Sequence, residues 1–199
     1  MKNKRKKVFI FESIKGAGKT LLTNKLKEHF PDMEVYGEEI TLLPVKHSKE
    51  KTIIISHYHE VISRIEKSDS EFFLLDRFHY SKWPIREYDK DYFKEIENSL
   101  VEKFAAELIF FKIHEDKILL RLKHTQEYRK DAGWKMNYDG LSLEDEAQRD
   151  IVWQKFFMEH QYKNTLIPKK HIMDTTDLHS SMGNLQNYLD EILSIIQKA

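Results

Sequence analysis

Short apolar runs alternate with longer amphipathic stretches along the chain. Each run is at most four residues long, and three of them are apolar without alternation, as expected of strands that are covered on both faces. The runs predict five strands, at residues 8–11, 33–36, 72–75, 108–111 and 172–173.

The stretches between the runs have helical periodicity. Apolar residues recur every three or four positions after the first run, before the third and fourth runs, and after the fifth. This alternation predicts a three-layer α/β fold in which helices cover both faces of a five-stranded parallel sheet. A length of 199 residues predicts one domain over residues 1–199. Ligands of such sheets bind beyond the carboxyl ends of the strands.

Composition narrows the classes of function. Lys and Arg number 33 and Asp and Glu number 33, a balance that favours neither nucleic acid nor an acidic membrane as the partner. The absence of cysteine excludes disulfides, thiolate metal sites and cysteine nucleophiles, and it agrees with a cytoplasmic protein. The first apolar run is too short for the core of a signal peptide or for a membrane span.

A glycine-rich segment follows the first predicted strand and opens an amphipathic helix. Gly16 and Gly18 allow the backbone to wrap closely, so that successive N–H groups point at phosphates. Lys19 can reach the outer phosphates and the Thr20 hydroxyl can ligate magnesium, although Ser13 stands where the strict pattern has glycine. The segment therefore predicts a loop that binds ATP with Mg²⁺, formed by Ser13, Ile14, Lys15, Gly16, Ala17, Gly18, Lys19 and Thr20.

Asp76 and Arg77 end the third predicted strand, beside the predicted loop. A carboxylate there can hold the waters of a magnesium ion bound by Thr20, so Asp76 is the second candidate for the metal site. An arginine there can bind an anionic acceptor or the phosphoryl group in transfer.

A charged, irregular stretch over residues 126–141 suggests a movable lid, because long loops inside compact domains are usually functional. With the end of the preceding helix, the lid is predicted over about residues 121–141. Arg121 and Arg129 are its candidate catalytic cations, and Arg149 on the following helix is a weaker one. Closure of such a lid excludes water and suppresses ATP hydrolysis.

Two segments resemble thymidylate kinases. Residues 12–20, Glu-Ser-Ile-Lys-Gly-Ala-Gly-Lys-Thr, resemble the Glu-Gly-x-(Asp/Glu)-Gly-Ala-Gly-Lys-Thr opening of that family. Residues 76–81, Asp-Arg-Phe-His-Tyr-Ser, resemble its Asp-Arg-(Tyr/Phe)-x-x-Ser element. The resemblance implies phosphoryl transfer from ATP to a nucleoside monophosphate, contact between Arg77 and the acceptor, catalytic arginines in the lid, and a homodimer.

The sequence departs from that family at several positions, so other functions stay open. Lys15 replaces a carboxylate that contacts the sugar, and His57 and His59 lie where the family has an arginine for the acceptor phosphate. Lys15 could supply the charge that this arginine would have provided. In the related deoxynucleoside kinases, a glutamate after the second strand accepts the proton of the acceptor hydroxyl, and Glu38 occupies that place. The alternatives are therefore a deoxynucleoside kinase, a hydrolysing NTPase, and an NTP-binding protein with degenerate catalysis.

Overall fold

A computed structural model describes residues 5–82, 89, 91–129, 140–178 and 182–198. Its sheet has five strands in the order β2-β3-β1-β4-β5, and every neighbouring pair is parallel. The predicted parallel sheet is thus confirmed. The strands are β1 (Lys7–Ser13), β2 (Glu34–Tyr36), β3 (Phe72–Asp76), β4 (Ala105–Lys112) and β5 (Lys169–Asp174).

Helices connect the strands. A short 3₁₀ turn (Leu43–Val45) follows α2, and a π-helical turn (Phe157–Gln161) joins α7 to α8. The helices are α1 (Lys19–His29), α2 (Glu38–Thr41), α3 (Lys51–Lys67), α4 (His79–Lys82), α5 (Lys94–Lys103), α6 (Glu115–Arg129), α7 (Leu143–Phe156), α8 (Tyr162–Asn164) and α9 (Met182–Lys198).

Two hydrophobic clusters lie on opposite faces of the sheet. In β1, Val8 and Ile10 join the cluster that α3 and α5 cover, whereas Phe9 and Phe11 join the cluster that α1, α6 and α9 cover. Both faces of the central strand are therefore buried, which explains why its sequence is apolar without alternation.

Helix α7 is fixed beside the carboxyl end of β4. Gln154 accepts a hydrogen bond from the N–H of Ile113 (3.0 Å) and donates one to its carbonyl oxygen (2.8 Å), and Ile113 directly follows β4. Trp153 packs against both hydrophobic clusters. These contacts place α7 at the edge of the sheet where a ligand is expected.

The prediction of an irregular stretch from residue 126 is wrong at its start. Helix α6 continues to Arg129, because no glycine or proline interrupts the chain before Gly133 and glutamine, glutamate and arginine are good helix formers. Residues 130–139 of the predicted lid lie outside the described residues. Over the described ranges, no helix is long and apolar enough to cross a membrane.

Candidate functional site

The glycine-rich loop joins β1 to α1 at the carboxyl edge of the sheet. Gly16 and Gly18 have left-handed φ angles of 74° and 89°. The φ angle of Gly18 favours glycine, and a Cβ atom there would also lie 2.1 Å from Cδ2 of Leu178, which would have to move. Gly18 caps α1 without a side-chain hydrogen bond, which leaves the N–H groups of the first helical turn without a side-chain acceptor. This geometry fits an anionic ligand.

Ser13 replaces the usual first glycine without distorting the loop. It is the last residue of β1, fully buried, and its hydroxyl donates a hydrogen bond to the carbonyl oxygen of Ile14 (2.8 Å). A residue in a strand needs no positive φ angle, so a side chain is tolerated there.

Lys19 and Asp76 form an ion pair beside the loop. Nζ of Lys19 lies 3.5 Å from Oδ1 of Asp76. Burial lowers the pKa of Lys19, the nearby Arg77 lowers it further, and the carboxylates of Asp76, Glu38 and Glu12 oppose this. Anionic phosphates would stabilise the buried ammonium in the same sense as these carboxylates.

The residues predicted to hold magnesium are both next to Lys19, which precedes Thr20 in the chain and pairs with Asp76. Thr20 is exposed in the first turn of α1, and Oδ1 of Asp76 is buried without a hydrogen bond in the described part of the chain. Among the described residues, no group of three or more His, Cys, Asp or Glu side chains could hold a metal ion. Magnesium does not need such a group, because it retains waters and binds phosphate oxygens with one or two protein ligands.

Arg77 is held in a left-handed conformation and faces Glu38. Its φ angle is 62°, the only positive φ of a non-glycine residue in the described ranges. Its N–H donates to the carbonyl oxygen of Phe11 (2.9 Å), and its Nε lies 2.8 Å from Oε1 of Glu38. Glu38 begins α2, and the hydroxyl of Thr41 in that helix donates to the carbonyl oxygen of Asp76 (3.1 Å). Helix α2 therefore carries Glu38 to the end of β3.

Glu12 lies beneath this arginine. It is fully buried, and its carboxylate accepts hydrogen bonds from the N–H of Phe78 (2.7 Å) and from the hydroxyl of Ser81 (2.7 Å). Burial raises the pKa of Glu12 to about 7, although Arg77, the two hydrogen bonds and Lys19 oppose the shift. Both hydrogen bonds come from residues just after Arg77, so they stabilise its strained conformation. In the sequence, Glu12 is marked only as the first residue of the motif over residues 12–20.

Helix α7 brings two further carboxylates to the site. Oε1 of the buried Glu146 lies 2.8 Å from Nζ of Lys15 and 3.2 Å from Nη2 of Arg149. Asp150, one turn later, is also buried. Burial raises its pKa, the charges of Lys15, Arg77 and Arg149 oppose the shift, and Glu146 adds to it.

These contacts change two sequence-based interpretations. Lys15 was expected to offer its charge to an acceptor phosphate, but here it is paired with Glu146. Arg149, the weaker cationic candidate, is paired with the same oxygen. Sequence reasoning missed Glu146 and Asp150, although a polar row at 146, 150 and 154 marks one face of the helix. Charges also cover its other faces, so this row did not stand out.

Arg121 is buried against the phosphate loop. It is only 2 % exposed, and its Nε and Nη2 donate to the carbonyl oxygen of Gly16 (3.2 and 2.6 Å). Burial lowers the pKa of Arg121 to about 10. It lies well inside α6 and not in the last turn of a helix, where the sequence interpretation placed it, while its part in a movable lid and its action on the phosphoryl group stay predictions. Arg129 ends α6, and its side chain lies outside the described residues.

The two histidines of α3 have different surroundings. His59 is exposed, and its Nε2 lies 4.0 Å from Oε1 of Glu95. The ring of the half-buried His57 lies against that of Tyr58, 5.4 Å away.

Several buried polar atoms without a hydrogen-bond partner in the described part of the chain lie around the loop. They include three carboxylate oxygens and one guanidinium nitrogen: Asp76 Oδ1, Glu146 Oε2, Asp150 Oδ2 and Arg121 Nη1. Buried polar atoms are rarely left unsatisfied, and although Tyr58, His79 and Gln161 have such atoms elsewhere, the group beside the loop agrees with a ligand site there.

Comparison with known proteins agrees with this architecture. No family model matches the chain, and no curated protein matches its sequence. The YorR protein of Bacillus subtilis, in complex with phosphorylated GDP, matches with a TM-score of 0.65 and 13 % identity over 96 % of this chain and 95 % of that one. Shikimate kinase from Bacteroides thetaiotaomicron matches with a TM-score of 0.60 and 12 % identity over 96 % and 98 %.

A third similar structure is polyphosphate kinase 2 from Arthrobacter aurescens TC1. Its TM-score is 0.58 and its identity 14 %, over 98 % of this chain and 70 % of that one. The fold of the protein is therefore that of the P-loop kinases, three layers around a five-stranded parallel sheet. Such low identities leave the acceptor open.

Proposed function

We propose that this protein is a P-loop phosphotransferase that moves the γ-phosphoryl group of ATP, with magnesium, to a hydroxyl of a small nucleoside-like acceptor. One observation carries the proposal. Lys19, Asp76, Arg77 and Glu38 form a continuous row of alternating charges at the carboxyl edge of the sheet.

The donor half of this row is suited to a triphosphate. The loop amides and Lys19 would bind the β- and γ-phosphates, and Thr20 and Asp76 would hold magnesium. The metal would supply neutralisation of the charge that develops on the phosphate oxygens. Burial of Lys19 strengthens its attraction to the phosphates, because the surroundings screen it less than water does.

The acceptor half is suited to a hydroxyl. The acceptor oxygen would attack the γ-phosphorus, the bond from that phosphorus to the bridging oxygen would break, and ADP would leave. Glu38 would take the hydroxyl proton, and Arg77, 2.8 Å away, would hold the carboxylate and face the transferring group. A phosphate acceptor is already ionised and needs no base, and Glu38 would repel it.

A thymidylate kinase-like reaction is the second candidate. The sequence Asp-Arg-Phe-His-Tyr-Ser at residues 76–81 favours it, because it resembles the element of that family that contacts the acceptor. The reaction would require Arg77 to exchange its contact with Glu38 for one with the acceptor phosphate.

An acceptor panel tests the proposal. ADP release from ATP and magnesium is measured with nucleosides, nucleoside monophosphates and no acceptor. Release that depends on an uncharged nucleoside is expected. Release with monophosphates alone would support the second candidate, and equal release without acceptor would identify an NTPase. ATP binding without release would identify a binding protein with degenerate catalysis.

A further inference from the structure

Two carboxylate oxygens on the buried face of α7 have no role in the proposed transfer. Oε2 of Glu146 and Oδ2 of Asp150 are buried and have no hydrogen-bond partner in the described ranges. The two residues are 2 % and 8 % exposed, so water cannot satisfy these oxygens freely. Four positions separate the residues, which places them on one face of the helix.

Both carboxylates lie near the acceptor side of the site. Lys15, in the phosphate loop, is 2.8 Å from the other oxygen of Glu146. The charges of Arg77 and Lys15 both act on Asp150. Glu146 therefore contacts the phosphate loop, and Asp150 lies within electrostatic reach of Arg77, which would face the transferring group.

We infer that Glu146 and Asp150 form a subsite for hydroxyl groups of the acceptor, at a point away from the transferred phosphoryl group. This inference rests on the proposed function. A buried carboxylate oxygen without a partner costs free energy, and an O–H donor from a ligand would remove that cost.

The surrounding charges favour a neutral donor over an ion. Lys15 and Arg149 already compensate the charge of Glu146, so a further ammonium group would be repelled. A phosphate would meet Glu38, Glu146 and Asp150 beside cations that are already paired. A sugar hydroxyl brings no charge and donates the hydrogen bond that each oxygen lacks.

Acceptors that differ by one hydroxyl test the subsite. Affinity and KM are measured with ribonucleosides, their 2′-deoxy and 3′-deoxy counterparts, and free pentoses. The matched variants are Asp150→Ala, Glu146→Gln and, as a control, Glu144→Ala, which removes an exposed carboxylate from the first turn of the same helix.

The wild-type protein should bind acceptors that lack the recognised hydroxyl about tenfold or more weakly. Asp150→Ala should abolish that difference, Glu146→Gln should reduce it, and Glu144→Ala should leave it unchanged. The same pattern with free pentoses would support the subsite and identify a simple sugar as the acceptor. If Glu146→Gln does not fold, Asp150→Ala alone decides.

Two other outcomes overturn the inference in distinguishable ways. Unchanged discrimination in Asp150→Ala would remove the hydroxyl subsite and leave phosphoryl transfer standing. Absence of acceptor-dependent ADP release with every compound would remove the proposed function as well.

Discussion

The two halves of the site are built in different ways. The donor half is one continuous segment, in which left-handed glycines, an uncapped helix start and Lys19 face the same edge of the sheet. The acceptor half comes from distant segments, and its cation Arg77 lies 2.8 Å from Glu38, a closer pair than the 3.5 Å between Lys19 and Asp76 in the donor half.

This difference indicates what each half binds. Loop amides without a side-chain cap and a buried ammonium favour a polyanion, because the single carboxylate of Asp76, 3.5 Å from Lys19, is the closest anion to that ammonium. Cations that are matched with carboxylates leave little net charge for a second anion. The comparison therefore predicts an anionic donor and a neutral acceptor.

Removal of the donor ammonium should have the largest effect. We expect Lys19→Ala to lower turnover about a thousandfold or more, because it removes charge stabilisation of the transition state. The melting temperature should change little, because Lys19 belongs to neither hydrophobic cluster and its ammonium group contacts Asp76. Lys25→Ala, which removes an exposed lysine of the same helix, is the control. Near-normal turnover in folded Lys19→Ala would refute the assignment of the donor half.

Removal of the central acceptor cation should have a smaller effect. We expect Arg77→Ala to lower acceptor-dependent turnover about a hundredfold, with a weaker effect on the KM for ATP. Arg64→Ala removes an exposed arginine of α3 and serves as the control. A change in the KM for ATP with unchanged acceptor kinetics would move Arg77 to the donor half.

Glu12 lies near both Lys19 of the donor half and Arg77 of the acceptor half, and its ionisation should make the free energy of unfolding depend on pH. Its pKa rises from 4.5 to about 7 on folding, so the folded state keeps a proton that the unfolded state releases. The free energy of unfolding should therefore fall as pH rises through this window, by about 3 kcal/mol from this group.

Glu12→Gln should remove that fall, because the amide cannot titrate, while its oxygen can accept from the N–H of Phe78 and its NH2 group can donate to the hydroxyl oxygen of Ser81. Urea unfolding of both proteins from about pH 4 to about pH 8 measures the difference, and Glu191→Gln on α9 is the exposed control. If the free energy of unfolding depends on pH in the same way in the wild type and in Glu12→Gln, the raised pKa of Glu12 is contradicted.

Local sequence predicted the donor half well, because its geometry depends on neighbouring residues. The strand before Ser13, the helix after Gly18 and the position of Asp76 at a strand end were all found where the patterns placed them. The pairing of Glu38 with Arg77 could not be read in this way, since it depends on how α2 packs on β3. Glu146 was missed because α7 carries charges on several faces.

The start of the irregular stretch was misplaced for a related reason. Charge density and two glycines suggested an irregular stretch, but helix propensity extends α6 to Arg129. Arg121 therefore contacts the carbonyl oxygen of Gly16 from inside the helix. A cation within reach of the phosphate loop was expected from the sequence, but its burial depends on tertiary packing.

The most direct test of a neutral acceptor is the turnover of Glu38→Gln with a hydroxyl acceptor and with a monophosphate. Loss of a general base usually costs about a hundredfold to ten-thousandfold in rate, and a phosphate acceptor needs no base. We expect Glu38→Gln to lose turnover on that scale with the best nucleoside acceptor, while ATP binding is unchanged. Full activity of Glu38→Gln, together with a preference for a nucleoside monophosphate, would contradict the account.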